Sequence, residues 1–428
     1  MEKKKSSFAI VVAIACCLIV FGGVGIVFST AGVFYAVVAD AFGVGKGTFS
    51  IYMTIVCLVM SFSLPIMGKL AVKLDIRKLC LINALCVGAS FAAFAMAKSL
   101  VVIYIAAAVQ GFGVAGPMYI IIPTMISRWF NKRSGFFIGL AMAFSGIAGI
   151  VLQPAIAAII QSSGWRTAYW VEAAVSFCFI AIPGLFMLRS RPSDIDQVPY
   201  GYEEIAENAS KAAASPIQAG VALKTAMKSK TFYMFAALCG LISFYTCVNF
   251  YWTSYAASLG YPLVLAATIS SCAMYGQLVG KIGLGAISDK NLNVGLICAY
   301  GLGFIGCLVI LILGGKAPAF VLFACIFMYG CTHGACAVES PIIAKECFGN
   351  GKDYAQIYSN AMSFGTFCSA IGSTLFGYIV DWTGGYTTVF VIGAAFAAIC
   401  YAAEGSLPYP AAPKQHPEYR MRTGESNA

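Results

Sequence analysis

Twelve apolar runs, each near the length of a membrane crossing, dominate this chain. They fall at 9–36, 48–67, 79–97, 101–125, 135–160, 167–188, 232–257, 264–287, 293–313, 319–342, 355–379 and 386–404. A hydrocarbon core of about 30 Å takes about 20 residues of helix. Lipid offers no partner to a backbone N–H or C=O, so such runs must close their hydrogen bonds within helices. Charged residues are only 10% of the 428, against about 25% in a water-soluble domain. The chain therefore reads as an all-α polytopic membrane protein with twelve transmembrane helices. The first run follows Met1-Glu2-Lys3-Lys4-Lys5 as a secretory leader would. It is too long for a leader and has no clear small-residue cleavage site, so it counts as a span.

Basic residues orient the spans. With both termini cytoplasmic, the inside segments carry 22 of the 27 Lys and Arg residues. Only Lys46, Lys98, Arg166 and Lys316 fall outside, and Lys281 falls within a span. This positive-inside bias predicts a multi-pass protein of the cytoplasmic membrane with both termini inside. The net charge of +10 is thus a topology signal, and no soluble basic face exists for nucleic acid. Most of the 17 cysteines lie within spans, where they behave as small apolar residues. No disulfide framework, metal site or cofactor is expected. The absence of a Gly-x4-Gly-Lys-Ser/Thr loop argues against ATP as the energy source.

Residues 189–231 form the only long polar linker, ending in a short basic segment expected to lie as a helix on the cytoplasmic surface. It divides the chain into a six-helix half at 1–188 and another at 232–404, with a cytoplasmic tail at 405–428. The halves repeat weakly. Gly116, Pro123 and Phe130 match Gly334, Pro341 and Phe348, while Gly68 and Lys73 match Gly285 and Lys290. Gly164-Trp165-Arg166-Thr167 pairs with Gly384-Gly385-Tyr386-Thr387. Such internal symmetry is a mark of secondary transporters.

Lys281 is the residue whose surroundings decide the function. A cation at membrane depth costs at least about 2.5–3.5 kcal/mol on insertion scales. It either binds an anion or pairs with a buried acid, and Glu172 and Glu339 are the acids within spans. Gln277 lies one turn earlier on the same helix face. Gly283 and Gly285 are expected to allow close helix contact nearby. Tyr329, His333 and Cys336 share a stripe in the tenth span, and Tyr245, Asn249 and Trp252 share one in the seventh. Each stripe reads as cavity lining or as interhelical packing, and the aromatic one also as an interfacial belt. Gln110, Tyr119 and Gln153 are lining candidates in the first half, with hydrogen bonding between packed helices the equal alternative. His333, Glu339 and Glu172 are the candidates for proton coupling.

Several motifs resemble those of the major facilitator superfamily. Gly285-Ala286-Ile287-Ser288-Asp289-Lys290 resembles the family's loop between the second and third helix of a half. The first-half copy runs from Gly68 through Lys73, Asp75 and Arg77, with Val72 where the acid is expected. The resemblance implies a cytoplasmic gate at Gly68, Lys73, Asp75, Arg77, Gly285, Asp289 and Lys290, with Asp289 carrying more of it. Ala107 stands where many proton-coupled drug exporters have arginine. Trp129-Phe130 and Arg191-Pro192-Ser193 make the pattern most similar to the oxalate:formate antiporter and monocarboxylate transporter group. In that group a basic residue at the position of Lys281 contacts the substrate carboxylate. Oxalate transport there also uses a lysine where this chain has Gly365, so one carboxylate is the better fit.

The expectation is a secondary transporter, not an enzyme, working by alternating access. It moves a small organic anion across the lipid bilayer as a monomer, with a coupled proton or counter-anion. An exporter of hydrophobic or drug-like compounds is the alternative within transport, and a transporter-like membrane sensor the alternative outside it.

Overall fold

A computed structural model describes residues 8–130, 134–195, 197–200, 221–284, 287, 292–313, 318–349 and 353–405. Among these the chain is helical and forms no strand. The long helices are α1 (8–42), α2 (Lys46–Lys73), α3 (Ile76–Met96), α4 (100–129), α5 (134–163) and α6 (165–187) in the first half. The second half holds α7 (230–258), α8 (263–284), α9 (Leu292–Leu313), α10 (Ala319–Phe348), α11 (Tyr354–Thr383) and α12 (Thr387–Gly405). Nine apolar segments are long enough to cross a membrane, and the longest, Phe136–Met187, turns at Gly164 and crosses twice. The shorter Leu100–Ala115 and Thr387–Ala402 complete twelve crossings among the described residues.

Two turns show the repeat in the backbone. Gly164 (φ 83°) joins α5 to α6, and Gly384 (φ 68°) caps α11 before α12. Both occupy the left-handed region that side chains disfavour. They are the matched glycines of the sequence repeat.

The halves meet at the end opposite the termini. Asp381 of α11 accepts from the backbone N–H of Lys46 at 3.0 Å and of Gly47 at 2.7 Å. These are the first amides of α2, whose own N-cap, Gly45, offers no side chain. A carboxylate there satisfies orphan donors and meets the positive end of the helix dipole. A Cβ on Gly47 would come 2.6 Å from the Tyr378 ring, so glycine is what lets α2 abut α11. Two turns deeper, Thr54 bonds Ala370 O and Thr374 Oγ1, both at 2.5 Å. Tyr35 of α1 packs on Phe250 and Tyr251 of α7, with ring centroids 5.9 and 5.4 Å apart. The deepest contact is Met274 of α8 against Gly149 of α5. None of these bonds lies toward the terminal end.

The first-half gate residues act within their own half. Asp75 caps α3, accepting from the N–H of Arg77 at 2.9 Å. Arg77 Nε donates to Leu188 O at the end of α6. Lys73 is exposed at the end of α2, and Gly68 sits inside that helix. The expected first-half gate is thus a set of ties between α2, α3 and α6. Gly285, Asp289 and Lys290 lie outside the described residues.

Removing the Asp381 carboxylate should loosen the closed end. A helix-terminal charge at an exposed site contributes about 1 kcal/mol at most. Asp381→Ala is expected to move the open-to-closed ratio roughly fivefold toward opening, read as a longer spin-label distance between α2 and α11. An unchanged distance distribution would remove Asp381 from the closure.

Candidate functional site

Four glycines bring α8 and α10 into backbone contact. A Cβ on Gly276 would meet Phe327 O, and one on Gly280 would meet Cys331 O. From the other side, Gly330 lies against Ala273 O and Gly334 against Gln277 O. The four-residue spacing keeps each pair on one helix face. Gly283, expected to pack closely, has open space beside it, and Gly285 lies outside the described residues. The close approach comes one to two turns earlier than the sequence pointed.

That approach sets three candidates side by side. Gln277 Nε2 lies 3.2 Å from His333 Nδ1, bridging α8 and α10. The amide donates and the ring nitrogen accepts, which puts the imidazole hydrogen on Nε2 and leaves it free to donate again. Lys281 follows Gln277 by one turn, within electrostatic reach of His333. It lies in the π-helical stretch Gly280–Leu284, an irregularity frequent at functional sites. No acid acts on Lys281 among the described residues. Met274, Gln277 and Lys281 fall at i, i+3 and i+7. Met274 meets α5 of the other half, so α8 borders both α10 and the first half.

The two aromatic stripes pack away from that gap. Tyr245, Trp252 and Tyr329 are fully buried inside the second half. Tyr329 Oη donates to Tyr245 O at 3.1 Å, and Trp252 stacks on Phe390 of α12 with centroids 5.0 Å apart. The cause is local: Cys247–Tyr251 is a 3-10 stretch, so α7 does not keep the 3.6 period that would align 245, 249 and 252. Asn249 is half-buried, and its Oδ1 has no hydrogen-bond partner among the described residues. Cys336 is buried beside Tyr300, so His333 alone of its stripe turns to Gln277.

In the first half Gln110 and Gln153 are buried, each with one amide atom unpartnered among the described residues. Tyr119 falls in the π stretch Gly116–Ile121, and its side chain is outside the described residues. Glu172 is buried against Thr30, and Glu339 is buried in α10. Gly365 packs on α7: a Cβ there would sit 2.7 Å from Ser243 Oγ and 3.0 Å from Cys239 O. A second cation at that position has no room.

Sequence reasoning missed Met274, Asp381 and Thr30. Each acts through a partner far along the chain.

The Major Facilitator Superfamily profile matches residues 16–344, more than half of the chain. The chain is 24% identical over 372 residues to monocarboxylate transporter 13 of Bos taurus, covering 85% of this chain and 81% of that one. It is 25% identical over 296 residues to monocarboxylate transporter 12 of Rattus norvegicus, covering 63% and 58%. Among solved structures, a D-xylose-proton symporter superposes with a TM-score of 0.70 at 13% identity, covering 95% of this chain and 99% of that one. A bacterial homologue of the human lysosomal transporter Spinster, in an inward-facing and occupied conformation, gives 0.65 at 13%, covering 93% and 95%. Twelve crossings in two related halves, a profile match over most of the length and transporter-like structures throughout lead to one statement: this chain belongs to the Major Facilitator Superfamily, a family of multi-pass membrane transporters and not of enzymes.

Proposed function

We propose that the protein carries a small organic anion with one carboxylate across the cell membrane, and that Lys281 is the counter-charge. The observation that carries this reading is a cation at membrane depth with no acid acting on it among the described residues, flanked by a histidine held by Gln277. An unpaired intramembrane charge is retained where it acts on a substrate. The ammonium is a compact point charge suited to a carboxylate. The free Nε2–H of His333 supplies a second, uncharged donor. The names of the similar monocarboxylate transporters favour the same substrate class.

The closed end opposite the termini fits an inward-open state, given both termini in the cytoplasm. Alternating access then consists of separating the Asp381 and Tyr35 contacts while the terminal ends close. His333 serves as a positioning donor in this reading, because its Nδ1 is already committed to Gln277. The lone cation disfavours export of cationic compounds.

Lys281→Met should abolish anion uptake in proteoliposomes while the protein still folds, and Lys281→Arg should retain part of it. Full uptake by the Met variant would end the proposal. Oxalate should compete poorly with monocarboxylates, since position 365 holds no second cation; strong competition would contradict the single-carboxylate reading. His333→Gln should raise KM several-fold, the size of one lost hydrogen bond of about 1 kcal/mol, with the pH profile of uptake unchanged. A flattened profile would make His333 the proton carrier instead.

A further inference from the structure

A second buried polar group lies outside the site described above. Glu172 of α6 is 2% exposed and Thr30 of α1 is 1% exposed. Thr30 Oγ1 is 2.5 Å from Glu172 Oε1 and 2.7 Å from the carbonyl oxygen of Ile26. A hydroxyl carries one hydrogen, and a carbonyl oxygen only accepts. If Glu172 were ionised it too would only accept, and one of the two contacts would hold no hydrogen. A protonated carboxyl completes the count: Glu172 donates to Thr30 Oγ1, and Thr30 donates to Ile26 O. The other carboxyl oxygen, Oε2, is buried with no partner among the described residues. Leaving a carboxylate oxygen so costs far more than leaving the carbonyl of a neutral acid. The titratable groups facing Glu172 are Tyr52 from α2 and Tyr169 from α6, and α1 presents only Thr30. No cation acts on Glu172 among the described residues.

Thr30 marks the bend in α1. Just past it, Gly32 lies against Phe250 and Tyr35 packs on Phe250 and Tyr251, the ring contacts that seal the closed end. Tyr52 packs edge-on against Tyr35. The group that holds the bend is therefore one residue layer from the seal.

We propose that Glu172 is a proton-binding switch for the closed end. Protonated, it holds the bend of α1 at Thr30 and lets Tyr35 close on α7. Deprotonated, the carboxylate requires water, and the end opposite the termini opens to supply it. The closed state binds one proton more than the open state, so closure is favoured as pH falls and lost as pH rises. This deepens the alternating-access reading but does not depend on the substrate.

The test is a distance measurement by pulsed electron resonance on the full chain in nanodiscs without substrate. Spin labels carried by non-canonical residues would replace the exposed Asp40 and Ser258. The wild-type distance should lengthen between pH 5 and pH 9, with the open-to-closed ratio changing by up to about tenfold per pH unit, as for one proton. Glu172→Gln supplies an amide donor in place of the acid and should stay short throughout. Thr30→Val removes the acceptor and should move the transition to lower pH. A wild-type distance that ignores pH, or a Glu172→Gln protein that keeps the wild-type response, would overturn the proposal. Neither result bears on Lys281.

Discussion

The backbone contact between α8 and α10 is the constraint on which the rest of the site depends. In lipid, helices gain nothing from excluding water, so they associate through close packing and interhelical hydrogen bonds. Gly276, Gly280, Gly330 and Gly334 provide the packing, and Gln277 with His333 provides the bond. The contact ties the imidazole to Gln277 through Nδ1 and keeps it within electrostatic reach of Lys281. The charge is thus presented on a rigid pair of helices, which is what a binding group needs if its geometry is to survive the motion of the halves.

The same helix pair connects the site to the closure. Met274 sits one turn from Gln277, accepts from its amide nitrogen at 3.5 Å through the sulfur, and lodges against the glycines of α5. It lies along α8 between the contacts that close one end and Lys281. Moving outward from it, Thr54, Tyr35 and Asp381 join the halves in successive layers. A substrate that neutralises Lys281 changes the electrostatics of the gap directly beside this pivot. That gives it a differential interaction with the open and closed states, which any ligand must have to shift such an equilibrium.

Much of this was legible in the sequence, for identifiable reasons. Apolar length is read residue by residue, so the twelve helices were expected within a few residues of where they form. Lys281 stood out because a lone charge in an apolar run is costly in lipid, though the sequence left both an anion and a buried acid as its partner. Gln277 followed from the helical period. The shared face expected for Tyr245, Asn249 and Trp252 does not form because the 3-10 stretch at Cys247–Tyr251 breaks the helical period, and no residue there announces it. For Tyr329 and Cys336 the sequence left lining and packing open, because a shared face does not say which way it turns; both are buried against Tyr245 and Tyr300. The pairs Asp381 with α2 and Thr30 with Glu172 join residues more than a hundred positions apart, which local pattern does not encode.

The most direct test of the central claim is a structure of the protein bound to the monocarboxylate that competes best for uptake. The account predicts a carboxylate oxygen about 3 Å from Lys281 Nζ, with its partner oxygen accepting from His333 Nε2. A carboxylate bound away from Lys281, or a Lys281 ammonium paired with an acid of the chain while substrate is present, would contradict it.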